Sequence, residues 1–193
     1  HANISIAGKH TVERFEIGGV IGWMYNETSA CADNTNNGKV TIAEGANIST
    51  TTSLYIGGGI GYSQDTVSGL TNTGAVEINE NAELSTTNTN GFMIAGGIGQ
   101  ARAKTSNVVN SGDVLVDVDG DGYIAGGIAY IKEGIAVEGV RAFCNVRAIN
   151  YSHVGMITGT ARNAAKPFIN CYLGGTICTS MTAVGEAARP DEK

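Results

Sequence analysis

The chain has 193 residues, 28 of them glycine and only two proline, with 16% charged residues and a formal net charge of −6. That length suffices for one domain or one elongated module with a buried core. Twelve scattered Lys and Arg against 18 acids supply no basic surface for nucleic acid or an anionic membrane, and no apolar run is long enough to insert in a bilayer.

The chain opens at His1 without a signal peptide and is read as a mature or excised fragment of an exported protein, extracellular or on a cell surface. The first stretch, "HANISIAG", resembles the tail of a preceding coil, so residues 1–14 are expected to be a partial coil or cap. Residues 15–180 carry a repeat. "GGVIG" (Gly18–Gly22), "GGGIG" (Gly57–Gly61), "AGGIG" (Ala95–Gly99), "AGGIA" (Ala125–Ala129) and a worn "VGMIT" (Val154–Thr158) begin 39, 38, 30 and 29 residues apart.

A second motif follows at a similar delay: "NNGKVTI" from Asn36, "NTGAVEI" from Asn72 and "NSGDVLV" from Asn110. "RAFCNV" (Arg141–Val146), with Ala142 in the place of the glycine, and "GGTIC" (Gly174–Cys178) continue it. Two motifs recurring in order at this period point to a solenoid or propeller. "VTIAEGANIST" and "VEINENAELST" read as strand, polar break, strand, with Ile42, Ile48, Ile78 and Leu84 inward.

The repeated glycines Gly19, Gly58, Gly59, Gly96, Gly97, Gly126 and Gly127 are expected at equivalent corners, where positive φ or close backbone approach requires them. Asn36–x–Gly38, Asn72–x–Gly74 and Asn110–x–Gly112 fit turns in which Asn bonds to its own backbone. The fold expected is all-β: a parallel β-helix of about five coils, about 24 Å long at the usual strand spacing. "TARNAAKPF" and "AVGEAARPDEK" are the only helical signals and suit a short cap. Residues 181–193 read as a polar, frayed tail.

These stretches, above all "GGIGY" (Gly58–Tyr62) and "INCYLGGTI" (Ile169–Ile177), resemble GLUG-type repeats. The resemblance implies a solenoid from a large bacterial surface or secreted protein, often adhesin-like and sometimes appended to a peptidase. No catalytic residue belongs to the repeat, so it implies none here.

Other chemistry is sparse. "GGGIGYS" lacks the Lys of a phosphate loop and opens no helix, so no nucleotide cofactor is expected. In "DVDGDG", Asp117, Asp119 and Asp121 have the spacing of the first three ligands of a calcium loop, but residue 128 is Ile where a bidentate acid belongs. A plain turn is the competing reading. Glu44 over Glu80 gives a two-rung acidic pair, and Thr50 and Thr51 over Thr86 and Thr87 give too short a ladder for ice binding.

Cys31, Cys144, Cys171 and Cys178 contain no C-x-x-C pair, which disfavours zinc and leaves free thiols or disulfides open. His1, His10 and His153 have no evident nucleophile or acid partner. Four Asn-x-Ser/Thr sequons, at Asn3, Asn26, Asn47 and Asn150, are expected by chance in so Asn- and Thr-rich a chain.

The functional expectation is a non-enzymatic adhesin-like module, a stalk or a binding face for a glycan or an extracellular-matrix protein. Specificity is expected in the Trp23–Asn37 segment, where Trp23 and Tyr25 can stack on a sugar, with packed aromatics at the solenoid end as the competing and favoured reading. The alternatives are a polysaccharide lyase or hydrolase on the same scaffold, or an accessory module of a larger secreted enzyme.

Overall fold

The computed structural model describes residues 2–25, 30–151, 153–161 and 168–179. They form a parallel β-solenoid of about four turns, without a helix. The expected tail, and most of the two stretches with helical signals, lie outside the described residues.

Each turn has four faces, seen most simply in the second coil. Face I is Val40–Ile42, face II Asn47–Gly57, face III Ile60–Ser63 and face IV Thr66–Asn72. Every ladder is parallel. Face III has five rungs, from Ile21–Met24 to Thr158–Ala161, but the solenoid makes about four turns where about five coils were expected. Face I has six, from Ile4–Ile6 to Ile177–Cys178. On face II, Lys9–Gly18 pairs with Asn47–Gly57 on both sides of a register shift between Val12 and Arg14, so residues 9–14 continue the strand of the first coil.

The period-2 pattern explains face I. Val40, Val76, Val114 and Val146 pair in register, as do Ile42, Ile78, Val116 and Ala148, and all are buried. Between faces I and II the chain turns through a left-handed residue, Gly45 (φ 69°) in the second coil and Asn81 (φ 59°) in the third. Those are the two residue types that tolerate this conformation most readily.

The interior is divided in two. Ile42, Ile48, Leu54, Ile56 and their equivalents fill one lobe, mainly between faces I and II. Ile60, Val67, Leu70, Ile98 and Ile128 fill the other, between faces III and IV. Burying an aliphatic side chain of this size contributes about 1.5–3 kcal/mol, so both lobes are strongly apolar ladders.

At the waist between the lobes, the two sequence motifs meet. A Cβ on Gly19, Gly58 or Gly96 would collide with the carboxamide of Asn36, Asn72 or Asn110, respectively. The Asn36 Nδ2 donates to the Gly58 carbonyl at 2.8 Å and to Asn72 Oδ1 at 2.8 Å, and Asn72 Nδ2 donates to Asn110 Oδ1 at 2.8 Å. The same amides donate to Gly38, Gly74 and Gly112 carbonyls at 2.7–2.8 Å. The glycine pair and the asparagine recur together because each occupies the room the other leaves.

Two expectations about these motifs change. None of Gly19, Gly58, Gly59, Gly96, Gly97, Gly126 and Gly127 has positive φ, so at these positions close approach alone excludes a side chain. Gly59, Gly97 and Gly127 are equivalent: each of the first two donates its N–H to the carbonyl of the next at 3.0 Å. In "RAFCNV", Ala142 pairs with Asn110, so alanine replaces the asparagine and Cys144 the glycine. The Cys144 sulfur then stands against Gly126, where the earlier coils place a carboxamide. In the worn fifth copy, Gly155 rather than Val154 pairs with Ala125, a shift of one residue, and Met156 and Ile157 follow in place of a glycine pair.

Candidate functional site

The repeat's last small residue shapes the outside. A Cβ on Gly61 would lie 2.7 Å from the backbone of Ile17, and one on Gly99 3.1 Å from Ile56 N. Face III therefore lies close over the outer side of face II, and the groove between them is largely filled by buried side chains.

Two side-chain rows line this groove. Leu54 and Ile56 turn into the core, so Tyr55 between them points out. Its row on face II runs Glu16, Tyr55, Met93, Tyr123 and His153, in register. On face III the row is Trp23, Tyr62, Gln100, Tyr130 and Thr160. The rows touch, with Tyr55 and Tyr62 centroids 5.4 Å apart and Tyr123 and Tyr130 also 5.4 Å apart.

At its first-coil end the groove opens. Trp23 is 44% and Tyr25 70% exposed, their rings 5.2 Å apart. The Arg14 guanidinium lies 4.4 Å from the Trp23 ring centroid, in cation–π geometry, and is held by Glu16 at 2.6 Å. Ser53 Oγ also donates to Glu16 at 2.9 Å. Tyr62 Oη accepts from Gln64 Nε2 at 2.7 Å and Arg102 Nη1 at 2.8 Å. Burial pushes the Tyr55 phenol up, and the neighbouring Tyr62 adds to the shift. The Tyr55 phenol is therefore neutral at neutral pH.

The aspartates of "DVDGDG" do not converge. Asp117 is ion-paired with Arg147, Asp119 Oδ1 accepts from Asn150 Nδ2 at 2.7 Å, and the Asp121 carbonyl accepts the Phe92 N–H at 2.9 Å. Among the described residues no three His, Cys, Asp or Glu side chains gather as a metal site. Gly120 instead arches over Phe92 and Tyr151, where a Cβ would lie 2.8 Å from Tyr151 Oη.

Glu44 accepts from Asn81 Nδ2 at 3.3 Å. Cys31 and Cys144 are buried and Cys171 and Cys178 partly exposed, and none of the four is in a disulfide.

Trp23 and Tyr25 were visible in the sequence as candidate stacking residues. Their continuation through Tyr55, Tyr62, Tyr123 and Tyr130 was not, although each lies two residues before or one after its glycine motif, a signal that appears once the repeats are aligned. Compared with protein-family models, curated proteins and solved structures, the chain matches none.

Proposed function

We propose that this solenoid is a non-enzymatic, adhesin-like binding module of a secreted or cell-surface protein, and that its groove between faces II and III binds a glycan. The carrying observation is the double aromatic row, open at Trp23 and Tyr25, on an otherwise Thr- and Asn-rich surface. At that open end Trp23 and Tyr25 offer an apolar face to the C–H side of a sugar and hydrogen bonds to its hydroxyls, while Tyr55, Tyr62 and Tyr130 are buried behind them. The rows are held by parallel ladders on a rigid scaffold, so the groove is formed before ligand arrives and little ordering is required on binding. The resemblance to GLUG-type repeats supports the same setting.

The test is a glycan and matrix-protein array probed with the chain and with a Trp23→Ala/Tyr25→Ala variant. Retention of a glycan is expected, weakened at least about tenfold in the variant, or ~1.4 kcal/mol. Both side chains are too exposed for the change to unfold the solenoid. An empty array, or equal binding by the variant, overturns the reading.

A further inference from the structure

Midway along the groove the aromatic rows are interrupted. Met93 and Gln100 occupy the third rung, with Tyr55 and Tyr62 on one side and Tyr123 and Tyr130 on the other. The interruption leaves a recess of about 330 Å³, lined by Tyr55, Gln100, Arg102, Tyr130, Lys132 and Glu133 among others.

Gln100 is 8% exposed, and its side chain lines this recess. An amide on the wall of a recess is within reach of a ligand that enters it. The amide offers both donors and an acceptor, the complement of sugar hydroxyls.

The rim has a sign. Arg102 and Lys132 stand on it with one acid, Glu133, a net positive charge on a chain whose total is −6. Arg102 Nη1 donates to Tyr62 Oη, which steers the guanidinium over the recess, and its remaining donors stay available. A guanidinium fork fits a carboxylate in bidentate fashion.

We infer that this recess binds a carboxylated sugar, with Gln100 bonding the ring hydroxyls and Arg102 and Lys132 the carboxylate. The assignment rests on the glycan-binding reading and narrows it to one subsite and one ligand class. Neutral sugars leave the two cations without a counter-charge and gain less there.

The experiment is titration calorimetry at physiological salt with sialyllactose and a glucuronate-containing hexasaccharide, each beside its carboxyl-reduced form. The proteins are the unaltered chain, Gln100→Leu and Arg102→Gln, with melting temperature recorded for each. Expected is binding of at least one acidic sugar, at least tenfold weaker binding of its reduced form, and a similar loss in both variants at unchanged melting temperature.

Equal binding of acidic and reduced forms overturns the carboxylate assignment and leaves the glycan-binding groove standing. A preference for the acid that survives both substitutions places charge recognition elsewhere and also overturns it. No binding of any sugar, acidic or reduced, overturns the inference; an empty array with it removes the groove's function as well.

Discussion

Replacing Asn72 tests the waist most directly. Its carboxamide is fully buried, donates to the Gly74 carbonyl at 2.7 Å and to Asn110 Oδ1 at 2.8 Å, and accepts from Asn36 at 2.8 Å. Asn72→Ala removes three hydrogen bonds, each worth about 1 kcal/mol net. A small cavity adds to that, giving a total of about 3–4 kcal/mol. That is a large share of the 5–15 kcal/mol typical of a folded domain. Urea unfolding followed by circular dichroism measures it.

The neighbouring Asn37→Ala is the control, because Asn37 is exposed and only accepts from Thr73 Oγ1 at 2.8 Å. It should cost under about 1 kcal/mol. Asn72→Asp keeps the shape but cannot donate, so at pH 7 it should be worse than alanine. Burial should raise that carboxyl's pKa, so the deficit should shrink as pH falls and the group is protonated. An Asn72→Ala loss within about 1 kcal/mol of the control would refute the interlocked waist. So would an aspartate no more harmful than alanine at pH 7.

Three further outcomes are expected. Gly97→Val should destabilise by at least about 1–3 kcal/mol, because its Cβ would sit 2.5 Å from the Gly127 carbonyl and 2.8 Å from Val108. Gly45→Ala, at a positive φ with open space, should cost only about 1 kcal/mol; thermal melting separates the two. The Cys144 thiol is pushed up to about 11 by burial, so it should resist alkylation at pH 8 while Cys171 and Cys178 react, as read by mass spectrometry. Because the fold holds that proton more tightly than the unfolded chain, its contribution is full below pH 9 and is lost as pH rises to about 11; a flat stability profile there would contradict this. Calcium titration should give neither heat nor a thermal shift, since Asp117 and Asp119 are taken by Arg147 and Asn150; a saturable shift abolished by Asp119→Asn would restore the calcium reading of "DVDGDG".

Much of this architecture was legible because the repeat samples the same environment several times. The equivalence of Gly59, Gly97 and Gly127 followed from spacing alone. The reason for those glycines did not, because φ and crowding favour the same residue and only coordinates separate them. The one-residue shift at Gly155 was hidden because Met156 and Ile157 replace the glycine pair that would have fixed the alignment. Ala142 and Cys144 misled for a similar reason: the sulfur fills the waist from two residues beyond the expected position. The groove was half visible. Exposed Trp23 and Tyr25 suggested stacking, but the partnership of Tyr55 with Tyr62 depends on how tightly face III closes over face II. Gln100 carries no motif at all, and its meaning comes from what surrounds it.

The waist also bears on how such a chain lengthens. Its two halves lie on opposite sides of a coil, and the amides of Asn36 and Asn72 reach forward, Asn36 to the carbonyl of Gly58 and Asn72 to Asn110. Duplication of any full period, wherever the genetic breakpoints fall, copies one glycine pair together with one asparagine. Both halves of the new junction arrive at once, so growth by whole periods keeps every clasp intact, whereas a partial copy leaves an amide facing a side chain.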